Sequence, residues 1–147
     1  MKYNYYLLIT IVLFFLTSCA KEDTQKTVIK EKSLDLQVLA AYEEGKKALN
    51  EGDVLFAAKK FNEAEILFPQ SEWASRSILM AAYAYYSQDY YYDAISELER
   101  FIKKYPNHER LNYAHFLLAI CYYEQIVDEK KDIGPLLSAQ EQFKIVI

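Results

Sequence analysis

Ala57-Ala58-Lys59-Lys60-Phe61-Asn62-Glu63-Ala64-Glu65-Ile66-Leu67-Phe68-Pro69 is followed, thirty-seven residues later, by Ala94-Ile95-Ser96-Glu97-Leu98-Glu99-Arg100-Phe101-Ile102-Lys103-Lys104-Tyr105-Pro106. The shared pattern is a small residue, then large or small apolar residues at i+4 and i+7, then Pro at i+12. Apolar residues at that spacing share one face of an α-helix, and Pro cannot continue it. Upstream, Ala41-x₂-Glu44-Gly45-x₂-Ala48 corresponds at the same shift to Ile78-x₂-Ala81-Ala82-x₂-Tyr85, and then to His115-x₂-Leu118-Ala119-x₂-Tyr122. Each unit is therefore two helices. A small residue on one (Gly45, Ala82, Ala119) faces a small residue on its partner (Ala57, Ala94, Ala139), which lets the backbones approach closely.

The pattern matches the tetratricopeptide (TPR) signature of helix pairs stacked into a solenoid. The fold class is all-α, with antiparallel pairs over 34–70, 71–107 and 108–147. Composition agrees: three Gly and three Pro in 147 residues leave few reversals for an all-β chain. Asp53 after Gly52 reads as a helix stop and N-cap; Ser71 and Asn107 read as caps of the following repeats. The period exceeds the usual 34 by three residues, placed between repeats. A further insertion of about eight, containing the run 128–135 (DEKKDIGP), falls inside the third repeat. The apolar end QFKIVI, within the second helix of that repeat, reads as an amino-terminal fragment of a longer array.

Residues 1–18 are of a different kind. Met1-Lys2, an apolar run from Leu7 to Leu16 and Thr17-Ser18-Cys19 read as a secretory signal peptide, since the run is shorter than the ~20 residues of a membrane span. Leu16-Thr17-Ser18-Cys19 resembles the bacterial lipobox, which implies diacylglycerol on the Cys19 thiol, cleavage before it and acylation of the new amino terminus. Such an anchor is stable because each buried CH₂ contributes ~0.8 kcal/mol. Ala20, where the enteric inner-membrane signal has Asp, favours the outer membrane. Residues 19–33 are the lipidated cysteine and a polar tether reaching at most about 45 Å. Cys121 is left as a buried free thiol.

The lipobox, the repeats Tyr42 to Pro69 and Trp73 to Pro106, and the wording Phe68-Pro69-x-Ser71-x-Trp73-Ala74, Ala82-Tyr83-x-Tyr85-Tyr86 and Arg100-Phe101-Ile102-x₃-Pro106-x-His108 carry a family likeness. They resemble the BamD family, lipoproteins of the outer-membrane β-barrel assembly machinery; so does the lengthened third-repeat loop. The resemblance implies a periplasm-facing scaffold that helps fold and insert β-barrel proteins. Its partners would be unfolded barrel proteins, bound by the amino-terminal repeats, and the subunits BamA and BamC, bound by later ones. A periplasmic TPR adaptor in cell-wall, division or proteolysis pathways is the alternative, and an accessory module of a cell-wall enzyme is a third.

In a TPR stack, first-helix positions 2, 5, 9 and 12 face the concave groove. Here they are Leu39, Tyr42, Lys46 and Leu49; Arg76, Leu79, Tyr83 and Tyr86; and Tyr113, Phe116, Ile120 and Tyr123. Of these, Tyr42, Lys46, Arg76, Leu79, Tyr83, Tyr86, Tyr113, Phe116 and Tyr123 are the peptide-binding candidates. With 14 Tyr in the chain, aromatic faces with polar tips suit an adaptable surface. Arg76 is placed to hold a carboxylate. Inter-helix packing is the competing role for each of them. Tyr90, Tyr91 and Tyr92 read as partly exposed packing, and His115 as a hydrogen-bonded core histidine. His108 and His115 have no ligand-spaced partner, so neither a metal nor any other cofactor is expected. The three glycines build no phosphate loop and no nucleophile–base set is visible, so no catalytic residues and no enzyme are expected. The net charge of −4, or −5 without residues 1–18 and their Lys2, argues against nucleic acid. Cys19→Ala should leave an unprocessed or mislocalised precursor. Mass spectrometry of the mature terminus checks this, and an unmodified terminus at another residue would refute the anchor.

Overall fold

The computed structural model describes residues 33–126 and 133–147; the leader, Cys19 and most of the 128–135 insertion lie outside them. Among the described residues there are six helices and no strand: α1 (Leu34–Asn50), α2 (Val54–Leu67), α3 (Glu72–Tyr86), α4 (Tyr91–Lys104), α5 (Leu111–Glu124) and α6 (Gly134–Val146). Each helix packs on the next, and α1 also touches α3. The arrangement is a TPR-type stack of three antiparallel pairs in which first helices neighbour first helices.

The turns repeat as the sequence does. Asp53 N–H donates to Ala48 O at 2.9 Å and Gly52 N–H to Leu49 O at 3.1 Å; thirty-seven residues on, Tyr90 donates to Tyr85 O at 3.0 Å and Asp89 to Tyr86 O at 3.1 Å. This double bond closes a helix through a residue with positive φ. Gly52 (φ 85°) adopts it without a Cβ clash, and Asp89 (φ 63°) is of a type that tolerates it. In the third repeat Ile126 N–H still donates to Tyr123 O at 3.1 Å, but Asp89 is the only non-glycine with positive φ among the described residues, so the turn departs where the insertion begins.

Helix starts follow the sequence only in part. The Asp53 carboxylate accepts from Phe56 N–H at 3.1 Å and caps α2. Ser71 occupies the N-cap position of α3, yet its hydroxyl turns back to Phe68 O at 2.9 Å. Asn107 is not a cap: α5 begins after Arg110, because Pro106 to Arg110 forms an extra turn in which His108 N–H reaches Tyr105 O and Leu111 N–H reaches His108 O. That turn absorbs part of the lengthened inter-repeat segment. Gly134-Pro135, read as part of the insertion, instead forms the first turn of α6, where Pro needs no partner for its missing N–H.

The small positions lie inside. Ala57, Ala82, Ala94 and Ala119 are fully buried and Ala139 nearly so. At Gly45 the approach is closest: a Cβ there would stand 2.8 Å from Cε1 of the Phe61 ring. Phe61 also takes the edge of Tyr42 at a centroid distance of 5.4 Å. Leu98 and Phe101 fill the equivalent core of the second pair, against Ile78, Leu79, Leu117 and Leu118. Cys121 belongs to that core, and burial pushes its thiol up to about 12. His115 is buried with Nδ1 2.7 Å from Gln142 Oε1, which ties α5 to α6.

The second helices are joined by a polar cluster. The buried Glu65 on α2 accepts from Lys104 Nζ at 2.6 Å and from Arg100 on α4. Arg100 also donates to Glu97 and, at 3.0 Å, to Asn62 Oδ1, while Asn62 donates to Glu97 at 3.0 Å. Burial alone would raise the Glu65 carboxyl, but the Lys104 and Arg100 hydrogen bonds outweigh it and hold the group below its ordinary value. A depressed carboxyl adds stability that is complete above the ordinary value of 4.5 and is lost as pH falls through the lowered one.

Two outcomes are expected. Gly45→Ala gains about 0.5–1 kcal/mol of helix propensity, but the enclosed Phe61 ring must move, and overpacking costs about 1–3 kcal/mol. Net destabilisation should appear in thermal unfolding, and a raised midpoint would refute the contact. Glu65→Gln should lower the midpoint at pH 7, with the gap to wild type closing as pH drops below about 4.5. A pH-independent gap would exclude the ionised cluster as the cause.

Candidate functional site

The first helices of successive repeats leave a pocket of about 110 Å³ between them, lined by Tyr42 of α1, Arg76, Leu79, Met80 and Tyr83 of α3, Arg110 at the start of α5, and Tyr113 of α5. Five of the nine candidate residues thus meet in one place, although they come from three repeats. Their mixture is an apolar floor (Leu79, Met80), three phenol rings and two guanidinium groups. A volume below the ~150 Å³ of a cavity that admits benzene fits one end of a ligand or part of a side chain, not a folded segment.

Aromatic contacts position the wall. Arg76 lies over the Trp73 ring at 5.4 Å, Trp73 packs on Tyr42 at 4.9 Å, and Tyr42 meets Phe61 at 5.4 Å. The guanidinium is therefore braced through two rings onto the core of repeat one. Burial raises the Tyr113 phenol; neighbouring Tyr83 adds to this, and the Arg110 cation works against it. The Tyr113 hydroxyl, held in its protonated form, thus shares the pocket with the Arg110 cation, an arrangement that offers hydrogen-bond donors to an anion.

The remaining candidates are placed differently. Lys46 is exposed, pairs with Glu43 at 3.0 Å and lies 5.9 Å over Tyr42, outside the pocket lining. Tyr86 is half-buried between Tyr83 (6.5 Å) and Tyr91 (6.2 Å) and packs α3 on α4. Phe116 is partly exposed with its edge to Phe143 of α6 at 6.3 Å, and Tyr123 is exposed farther along α5. In the tyrosine run, Tyr90 and Tyr91 pack against Tyr85 and Tyr86, while Tyr92 is 80% exposed.

Sequence reasoning passed over Met80 and Arg110. The thirty-seven-residue shift pairs Arg76 with Tyr113, so it selects Tyr113; Arg110 precedes it by three residues, one turn earlier on the same face. That spacing was the available signal. A second hollow, of about 230 Å³, lies between α1 and α2 and is lined by Gln37, Ala40, Ala41, Glu44, Lys60, Glu63 and Leu67. Lys60 bridges it to Glu44 at 2.8 Å and Glu63 at 2.9 Å. Among the described residues no His, Cys, Asp and Glu set is grouped to hold a metal, and no helix is long and apolar enough to cross a membrane.

Comparison with known proteins places these features. The YfiO family, described as outer membrane lipoprotein, matches residues 34–147. The chain is 40% identical over 114 residues to the outer membrane protein assembly factor BamD of Caulobacter vibrioides, covering 78% of this chain and 36% of that protein. It is 34% identical over 112 residues to BamD of Neisseria meningitidis serogroup A (75% and 41%), and 30% identical over 105 residues to BamD of Rickettsia prowazekii (67% and 42%). The chain spans 36–42% of the length of these relatives. The family match runs through every described helix, and on that ground the chain belongs to the YfiO family of outer membrane lipoproteins.

Proposed function

We propose that this chain is the periplasm-facing, lipid-anchored amino-terminal part of a scaffold for assembly and insertion of β-barrel proteins in the outer membrane, and that its first-helix groove receives segments of unfolded barrel proteins. The printed role of the relatives, outer membrane protein assembly, supports the pathway. The observation that carries the binding role is the convergence of Tyr42, Leu79, Tyr83 and Tyr113 with two arginines in one pocket. Contacts with BamA and other assembly subunits belong, in this reading, to the whole protein. Its work is recognition: a held segment is kept from aggregating and presented to the barrel-forming subunit, with no bond made or broken. Cys19 supplies the anchor, and residues 20–33 give it reach.

Tyr83 is 41% exposed beside the pocket, so its truncation removes contact surface without opening the core. Losing an aromatic anchor costs about 2 kcal/mol, or roughly 30-fold in affinity. Peptides from barrel-protein termini, titrated against the full-length protein, should bind better than scrambled peptides of equal charge, and Tyr83→Ala should weaken them by about that factor. Equal binding of native and scrambled peptides by the wild type would overturn the proposal.

A further inference from the structure

The outward side of the second helices carries a pattern that neither the core nor the groove uses. Two residues before the buried small residue of each second helix stands a large apolar side chain: Leu55 before Ala57, Tyr92 before Ala94 and Leu137 before Ala139. All three are exposed, at 55%, 80% and 54%. One register position recurs along a stack, so they form a row on the rim where first helices turn into second ones. Phe56, Tyr90 and Leu136 flank the row and are exposed as well. One turn further along the same face stand Lys59, Ser96 and Glu141, all exposed and polar. Apolar side chains scattered singly over a surface are ordinary; a row at one position of three repeats, bounded by polar residues, marks a contact surface.

We infer that this rim rests on the lipid leaflet to which the chain is anchored, with Leu55, Tyr92 and Leu137 entering the boundary between headgroups and acyl chains. The inference rests on the lipid-anchored placement above and is independent of the groove. The family is one of outer membrane lipoproteins, so a leaflet is the apolar phase held close to the helices. The tether spans at most about 45 Å. The rim lies one helix length from the point where the tether joins, about 25 Å for the 17 residues of α1. Tethering raises the local concentration of lipid, so a shallow contact through few side chains suffices. Tyr92, with its apolar ring and polar tip, suits such a boundary better than water on every side. Glu51, Asp53, Asp89 and Asp93 are exposed on the same rim, so the contact is apolar and anionic lipid adds nothing to it.

The experiment reconstitutes the full-length lipidated protein in phosphatidylethanolamine–phosphatidylcholine vesicles, with one introduced cysteine labelled by nitrobenzoxadiazole. Cys121 is buried with its thiol pushed up to about 12, and a lipidated Cys19 has no free thiol, so labelling is confined to the introduced site. A nitroxide on the upper acyl chain should quench reporters at Leu55→Cys, Tyr92→Cys and Leu137→Cys about twofold more than reporters at Lys59→Cys and Ser96→Cys, one turn (~5 Å) away. Raising the salt or adding phosphatidylglycerol should leave that ratio unchanged. With the reporter at Phe56→Cys, combining Leu55→Ser, Tyr92→Ser and Leu137→Ser should abolish the excess quenching and leave the thermal midpoint in place, because the replaced side chains are exposed. Equal quenching at rim and control positions would overturn the rim contact. So would rim reporters shielded from aqueous iodide only when a partner subunit is added, which would assign the rim to a protein. Co-flotation with the vesicles reports the anchor separately. Protein that floats without rim quenching refutes the rim contact alone; protein that does not float refutes the anchor and the rim contact with it.

Discussion

The ring of Phe61 occupies the space that a side chain at position 45 would need. That contact sets how near α1 and α2 can come, and the rest of the stack depends on it. Tyr42 and Val54 reach their neighbours only because the pair is closed; Tyr42 then carries Trp73, and Trp73 carries Arg76. In the second pair Ala82 and Leu98 stand at the equivalent positions of the repeat and share one buried core. Interiors are packed close to crystal density, so one small residue per helix is a steric requirement of the architecture and not a preference.

The two layers of helices are held by different physics. First helices meet through aromatic rings and leave a pocket with available cations. Second helices are joined by the Glu65–Arg100–Lys104 cluster with Asn62 and Glu97, in which positive and negative groups offset one another. Removing one member of such a buried set leaves another uncompensated, so the cluster constrains the spacing of α2 and α4 more strongly than it adds net stability. The cluster ties the second helices of the first two repeats to each other, on elements other than those that line the pocket.

Local chemistry decided what the sequence by itself determined. The thirty-seven-residue shift, the Gly52 stop, the Asp53 cap, the Pro closures, the small interior residues, the core His115 and the buried Cys121 each follow from a side chain acting within a few residues or at one face of a helix. Tyr42, Arg76, Leu79, Tyr83 and Tyr113 of the pocket lining were legible for the same reason, since first-helix positions recur at helical spacing. Tertiary structure alone decided which of them meet. Tyr42, Arg76, Arg110 and Tyr113 come together through the stacking of three pairs; Tyr86 is diverted into packing, and Glu65 finds Arg100 thirty-five residues away. Asn107 has the composition of a cap yet lies in a turn before α5, because the extra inter-repeat residues had to be accommodated somewhere. Spacing along the chain reports a face of one helix. Distances between faces are set by how closely neighbouring helices pack, which no single helix's sequence encodes.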